Sequence, residues 1–188
     1  STGVGCGIIS GGKLVEGKGK NAGHFGHTIV KKDGHKCSCG QNGCIETILS
    51  GKHIPRRAKG AGLEVENAKE VFEKFKQGDP IAKTIIEETI EYLGVLMINV
   101  INVTDTEVLI VGGSVFLNNL DILLEGVEKY ISENSMVVLS EGTQLNTPEL
   151  GEYVGDLAGL SLVIPEKLIL KWRDKELWKT GFDKEIDI

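Results

Sequence analysis

The chain has 188 residues, of which 40% are hydrophobic and 26% charged, an ordinary balance for a soluble protein with room for a real core. Its formal net charge of −6 excludes the broadly basic face that a nucleic-acid binder uses against phosphate. No apolar run reaches the roughly 18 residues of a membrane span, and the opening Ser1-Thr2-Gly3 has no basic region followed by an apolar stretch. The expectation is a cytoplasmic protein without membrane or nucleic-acid contacts.

Residues 4–10 read as a strand, Gly11-Gly12-Lys13 as a hairpin turn, and Leu14-Val15 as the returning strand. A Gly-, Lys- and Asn-rich loop follows, then a further strand at residues 27–30 and a turn at Lys32-Asp33-Gly34. Residues 37–44 form a loop, and residues 45–50 a helix that Gly51 ends. The basic stretch at residues 52–59, with Arg56 and Arg57, lacks interleaved aromatics and reads as a solvated loop. Residues 65–77 give a helix with Val71, Phe72 and Phe75 on one face.

Asp79-Pro80 is an N-cap with proline at the first helical position. From there Ile81, Ile85, Thr89, Leu93, Leu96 and Val100 keep a period near 3.6, the mark of a long buried helix. Residues 107–111 form an apolar strand entering Gly112-Gly113-Ser114, and residues 117–132 the next helix. A strand is expected at 136–139, a polar loop to about Glu152, a helix at 154–163 and an amphipathic helix at 166–179. Strands, then helices, then strand–helix units make an α/β or α+β lobe without a dividing linker.

Three of the four cysteines fall in Cys37-Ser38-Cys39-Gly40-Gln41-Asn42-Gly43-Cys44. In a reducing compartment such clustering points to metal before disulfide. The plainer alternatives are three reduced thiols in a turn, or a bridge between Cys39 and Cys44. A tetrahedral zinc site needs a fourth ligand, and Cys3His is a standard structural set. His24, His27, His35 and His53 are the candidates, and spacing alone does not choose among them. His35 lies too close to Cys37 to share its ion without strain, whereas His27 opens a predicted strand and is favoured. Cys6, alone in a strand, reads as a small apolar residue.

Several of these segments together resemble the ROK family (repressors, open reading frames and kinases). Thr2-Gly3-Val4-Gly5-Cys6-Gly7-Ile8-Ile9 with Gly12-Lys13-Leu14, and Gly23-His24-Phe25-Gly26-His27, are similar to its elements. Cys37-x-Cys39-Gly40-x-x-Gly43-Cys44-x-Glu46 matches its zinc signature, and the likeness extends to about residue 163. The resemblance implies an α/β fold, the C-terminal lobe of an actin-like (ribonuclease H-like) ATPase, with a mixed sheet, packed helices and a structural zinc loop. It implies that His27 joins Cys37, Cys39 and Cys44 on zinc. It places His24, His27 and Glu46 at the sugar. Thr2-Gly3 would form a phosphate-binding turn and Gly112-Gly113 an adenosine-binding element, for ATP and Mg2+.

The sequence also departs from the family pattern. The Asp-x-Gly-x-Thr loop and the Asn-Asp pair carrying the catalytic aspartate do not occur in residues 1–188, so the chain is not expected to transfer phosphate alone. His24 stands where the family has glutamate, which alters the acceptors offered to the sugar. Ser114 replaces a common third glycine. The leading expectation is the sugar- and nucleotide-binding lobe of an ATP-dependent hexose or N-acetylhexosamine kinase, commonly a homodimer in this family. The competing one is the sugar-sensing lobe of a ROK-family transcriptional repressor.

Overall fold

A computed structural model describes residues 3–161, 163, 164 and 167. The expected helix at 166–179 and Thr2 lie outside the described residues. The chain forms two compact units, residues 1–148 and 149–188. In the second, a 3-10 turn at Gly151–Tyr153 precedes a helix at Val154–Ser161, as the sequence suggests despite Gly155 and Gly159.

The first unit is organised on one helix. Elements run β1 (Ile9–Ser10), β2 (Lys13–Leu14), α1 (Glu46–Leu49), α2 (His53–Gly60), α3 (Ala68–Lys76), α4 (Pro80–Thr104), β3 (Val108–Ile110), α5 (Ser114–Leu117), α6 (Leu120–Asn134), α7 (Val137–Ser140) and β4 (Gln144–Asn146). The Asp79 carboxylate accepts from the amides of Ile81 and Ala82, both at 2.9 Å, and starts α4 as expected. The helix ends at Asp105 in the left-handed conformation, φ +46°. Its 25 residues span about 37 Å, enough to enter two cores. Ile85 and Ile86 pack with Ile54, Val71, Phe72 and Leu123 in one; Leu96 and Val100 pack with Ile45, Ile48 and Leu49 in the other.

Helix α6 lies against α4 where glycine permits close approach. A β-carbon on Gly94 would come within 2.8 Å of the Tyr130 ring carbon Cγ, so the Tyr130 side chain of α6 lies directly on the α4 backbone there. Helix α3 is capped by Asn67, whose Oδ1 accepts from the Glu70 amide at 3.1 Å, while Glu70 reaches back to the amide of Glu66 at 2.7 Å.

The expected single mixed sheet is instead two separate two-stranded sheets among the described residues: β1–β2 antiparallel and β3–β4 parallel. Ile9 pairs Leu14 as the hairpin reading requires, but residues 4–8 lie outside the paired strand. The cause is a short returning arm, which leaves most of the strand without a ladder. Residues 27–30 are not a strand either; Phe25–His27 is a 3-10 turn, and Ile29 makes an isolated bridge to Cys44.

The apolar run at 136–139 gives helix α7, not a strand, because so short a run carries no period that separates the two. Its strand partner role falls to Gln144–Asn146, inside the expected polar loop, in parallel register Leu109 to Leu145. A parallel pairing needs a helical crossover, which α5 to α7 supply. The supposed solvated loop at 52–59 is helix α2, with Pro55 in its first turn and Ile54, Pro55 and Ala58 buried.

Candidate metal and sugar site

The cysteine loop folds back on itself. Lys36 and Asn42 form an isolated bridge, the Cys37 amide donates to Gln41 O at 2.8 Å, and the Gly43 amide donates to His35 O at 2.9 Å. Gly43 has φ +73° and packs directly on the Lys31 backbone, where no side chain fits. Opposite this loop the 3-10 turn presents His27, its amide bonded to His24 O at 3.0 Å.

His27, Cys37, Cys39 and Cys44 therefore converge, with their donor atoms all within 4.8 Å of one another. His27 Nδ1 lies 3.6 Å from Cys37 Sγ, and the Cys39 and Cys44 sulfurs lie 3.5 Å apart and unbonded. Bonds of about 2.3 Å in a tetrahedron put sulfur atoms about 3.8 Å apart, so the spacing suits one central ion. His35 and His53 stand outside this set: His35 lends its carbonyl to Gly43, and His53 Nδ1 meets Ser50 Oγ at 2.7 Å. Gln41 donates to Cys39 Sγ at 3.4 Å and draws that thiol down to about 6. Burial, reinforced by the neighbouring sulfurs, pushes Cys44 up to about 12. An exposed thiolate at Cys39 beside the buried, proton-holding Cys44 is a cluster whose charge a cation would satisfy.

Glu46 follows Cys44 by two residues and opens helix α1. Its Oε2 accepts from the Val4 amide at 3.1 Å, so the expected sugar carboxylate meets the expected phosphate turn. His24 is exposed, its ring 6.1 Å from that of His27. Its Nδ1 sits 2.8 Å from Asn21 O. A carbonyl only accepts, so Nδ1 carries the proton and Nε2 remains for another partner.

A cavity of about 360 Å3 gathers Gly3, Gly5, Ser50, Gly51, Gly112 and Gly113 on one wall system, with apolar side chains of α4 behind. The two glycine turns that are far apart in sequence thus share one space. Cys6, expected as a small apolar residue in a strand, is exposed and lines this cavity outside the paired strand. A second cavity of about 830 Å3 adjoins Gly51 and is lined by Lys52, Lys69, Lys76, Asn67, Asn118 and Asn119. Nothing in the one-dimensional pattern gathered those residues, because they come from three segments separated in the chain: Lys52 before α2, Asn67 to Lys76 along α3, and Asn118-Asn119 between α5 and α6.

The sequence pattern that defines the ROK family matches residues 1–163. The chain belongs to the ROK family. It is 41% identical over 133 residues to the N-acetylmannosamine kinase of Escherichia fergusonii, covering 71% of this chain and 45% of that protein. A ROK glucokinase from Streptomyces griseus, solved with glucose and AMPPNP, is 29% identical with a TM-score of 0.65, over 82% of this chain and 55% of that one. A ROK transcriptional regulator, a homologue of the E. coli MLC protein, is 29% identical with a TM-score of 0.67, over 78% of this chain and 39% of that one. The chain therefore spans about half or less of the length of these relatives. Among the described residues, no helix is long and apolar enough to cross a membrane.

Proposed function

We propose that this ROK chain is the sugar- and nucleotide-binding C-terminal lobe of an ATP-dependent sugar kinase, with an N-acetylhexosamine of the N-acetylmannosamine type as its substrate. The observation that carries the reading is the bond from Val4 N–H to Glu46 Oε2. It sets the sugar-binding carboxylate against the Gly3 turn, the arrangement a phosphoryl acceptor and its donor require. The 41% identity to an N-acetylmannosamine kinase supports the sugar class.

In this reading His27, Cys37, Cys39 and Cys44 hold a structural zinc, which leaves no open coordination position and acts by fixing the loop that precedes Glu46. With Nδ1 turned to the cluster, the His27 Nε2 is left to donate to a sugar hydroxyl. Glu46 accepts from a second hydroxyl, and His24 Nε2 accepts from a third. The Gly3 and Gly112-Gly113 turns approach ATP through backbone. ATP brings Mg2+, which shares the charge of the transferring phosphate. The Asp-x-Gly-x-Thr and Asn-Asp motifs of the family do not occur in residues 1–188, and in this reading the chain does not transfer phosphate by itself. The homodimer common in the family is part of the same proposal.

Likeness to the ROK regulator favours one second reading, a sugar-sensing lobe without phosphoryl transfer. Calorimetric titration with N-acetylmannosamine, N-acetylglucosamine and glucose, with and without ATP analogue, separates the two. Binding of both N-acetylmannosamine and nucleotide, with the sugar alone weakened at least tenfold by Glu46→Gln, supports the kinase lobe. Sugar binding without nucleotide binding supports the sensor. Loss of neither ligand in Glu46→Gln overturns the placement of the site.

A further inference from the structure

Helix α1 carries Glu46, yet it is one turn of four residues, too short to hold its own direction in water. On its N-terminal side it is fixed by the cysteine cluster and by Thr47 Oγ1 donating to Cys44 O at 2.7 Å. On its C-terminal side the Ile48 carbonyl has no partner within so short a helix. Arg57 of α2 supplies one: Nη1 donates to Ile48 O at 3.0 Å and to Thr89 Oγ1 at 3.1 Å. Nη2 donates to Ile85 O at 3.3 Å and pairs with Glu88. The Arg57 side chain is only 7% exposed, so this is a buried cation with both terminal nitrogens engaged, not a surface charge.

Glu88 is shared. Lys31 Nζ reaches the same carboxylate at 3.0 Å and lies 5.8 Å from the Tyr92 ring centre. The Lys31 backbone is the surface on which Gly43 of the cysteine loop packs, and its amide donates to Gly43 O at 3.4 Å. One carboxylate on the rigid α4 thus braces the metal loop through Lys31 and the far end of α1 through Arg57.

We infer that Arg57 is a positioning residue: anchored on Glu88, it sets the angle of α1 and so holds the Glu46 carboxylate on the Val4 amide and toward the sugar. The role of Glu46 at the sugar rests on the proposed function; the positioning itself does not. Lysine cannot replace it, because a single ammonium cannot reach Ile48 O and the Ile85–Glu88 pair together.

The test is Arg57→Lys and Arg57→Met in the intact protein, with amide hydrogen exchange followed by NMR, metal content and sugar titration. Loss of a hydrogen bond to a charged group corresponds to roughly a tenfold or greater change. The expected result is a fall of about that size in protection at the Val4 amide and a similar rise in Kd for N-acetylmannosamine, with metal content and protection of α4 unchanged. Glu88→Gln, which keeps the volume and is the milder change if Arg57→Met does not fold, moves both readouts the same way. Unchanged Val4 protection and Kd alongside a lowered melting temperature overturn the proposal and leave Arg57 a purely structural residue. A wild type that binds no sugar, with Val4 protection still dependent on Arg57, upholds the positioning and refutes the kinase reading instead.

Discussion

Gly43 and Gly40 sit in the same cysteine loop, both in the left-handed region at φ +73° and +95°, but with different surroundings. A methyl on Gly40 meets nothing within 4 Å, whereas one on Gly43 lies 2.6 Å from the Lys31 carbonyl carbon and closer still to its oxygen. The backbone cannot turn aside as a side-chain tip can. The carbonyl has to retreat about 1 Å or more to reach ordinary contact, and that strains the 3.0 Å bond from Val30 N–H to Gly43 O and the 2.9 Å bond from Gly43 N–H to His35 O. Left-handed strain costs an alanine about 1–2 kcal/mol at either position. At Gly43 the two weakened hydrogen bonds add about 1 kcal/mol each. Gly43→Ala is therefore expected to cost about 3–4 kcal/mol and Gly40→Ala about 1–2 kcal/mol. For a domain of this size the gap corresponds to a melting temperature about 4–8 °C lower for Gly43→Ala. Thermal unfolding of both variants by circular dichroism, with metal content measured alongside, gives the comparison. Equal melting temperatures would refute the idea that the loop is built on close contact between Gly43 and Lys31.

Purified protein is expected to carry about one zinc per chain by elemental analysis, falling towards zero in Cys44→Ser, whose thiol is fully buried in the donor set; a well-folded wild type without metal would count against the cluster. Burial opposes the charge of Glu88, but the Lys31 hydrogen bond and the Arg57 charge prevail and hold its carboxyl below the usual range. Its contribution to stability is thus complete above the unfolded value of about 4.3 and disappears as pH falls through the lower folded value. The stability advantage of the wild type over Glu88→Gln, from urea unfolding, should shrink between about pH 5 and pH 3; a constant difference would contradict it. Phe72→Ala empties a site only 2% exposed in the larger core and should cost about 3–5 kcal/mol in the same assay.

Local chemistry made much of this protein legible in its sequence. The Asp79-Pro80 start and the 3.6 period of Ile81, Ile85, Thr89, Leu93, Leu96 and Val100 specify α4, because capping and amphipathicity act within a few residues. The spacing of Cys37, Cys39 and Cys44, with glycines between, specifies a tight loop with sulfurs on one side, and the family resemblance supplied His27. Elements that depend on distant partners were not legible. Residues 4–8 have strand composition but no ladder to join, and residues 144–146 have a loop's composition yet pair with β3, since a strand exists only where its neighbour does. Residues 136–139 are too short an apolar run to carry a period, and packing made them a helical turn.

Arg57 shows the same division most clearly. In sequence it belongs to a basic stretch like any solvated one. Its burial follows from helix α2 laying Ile54 and Ala58 into the core, and its partners, Ile48, Ile85, Glu88 and Thr89, lie 9 to 32 residues away. The three sulfurs gather because Cys37, Cys39 and Cys44 are neighbours along the chain, whereas His27, ten residues before Cys37, meets them through the fold. The meeting of Glu46 with Val4, 42 residues apart, was decided by the tertiary structure, since only the packed core sets the distance between segments that the backbone leaves free.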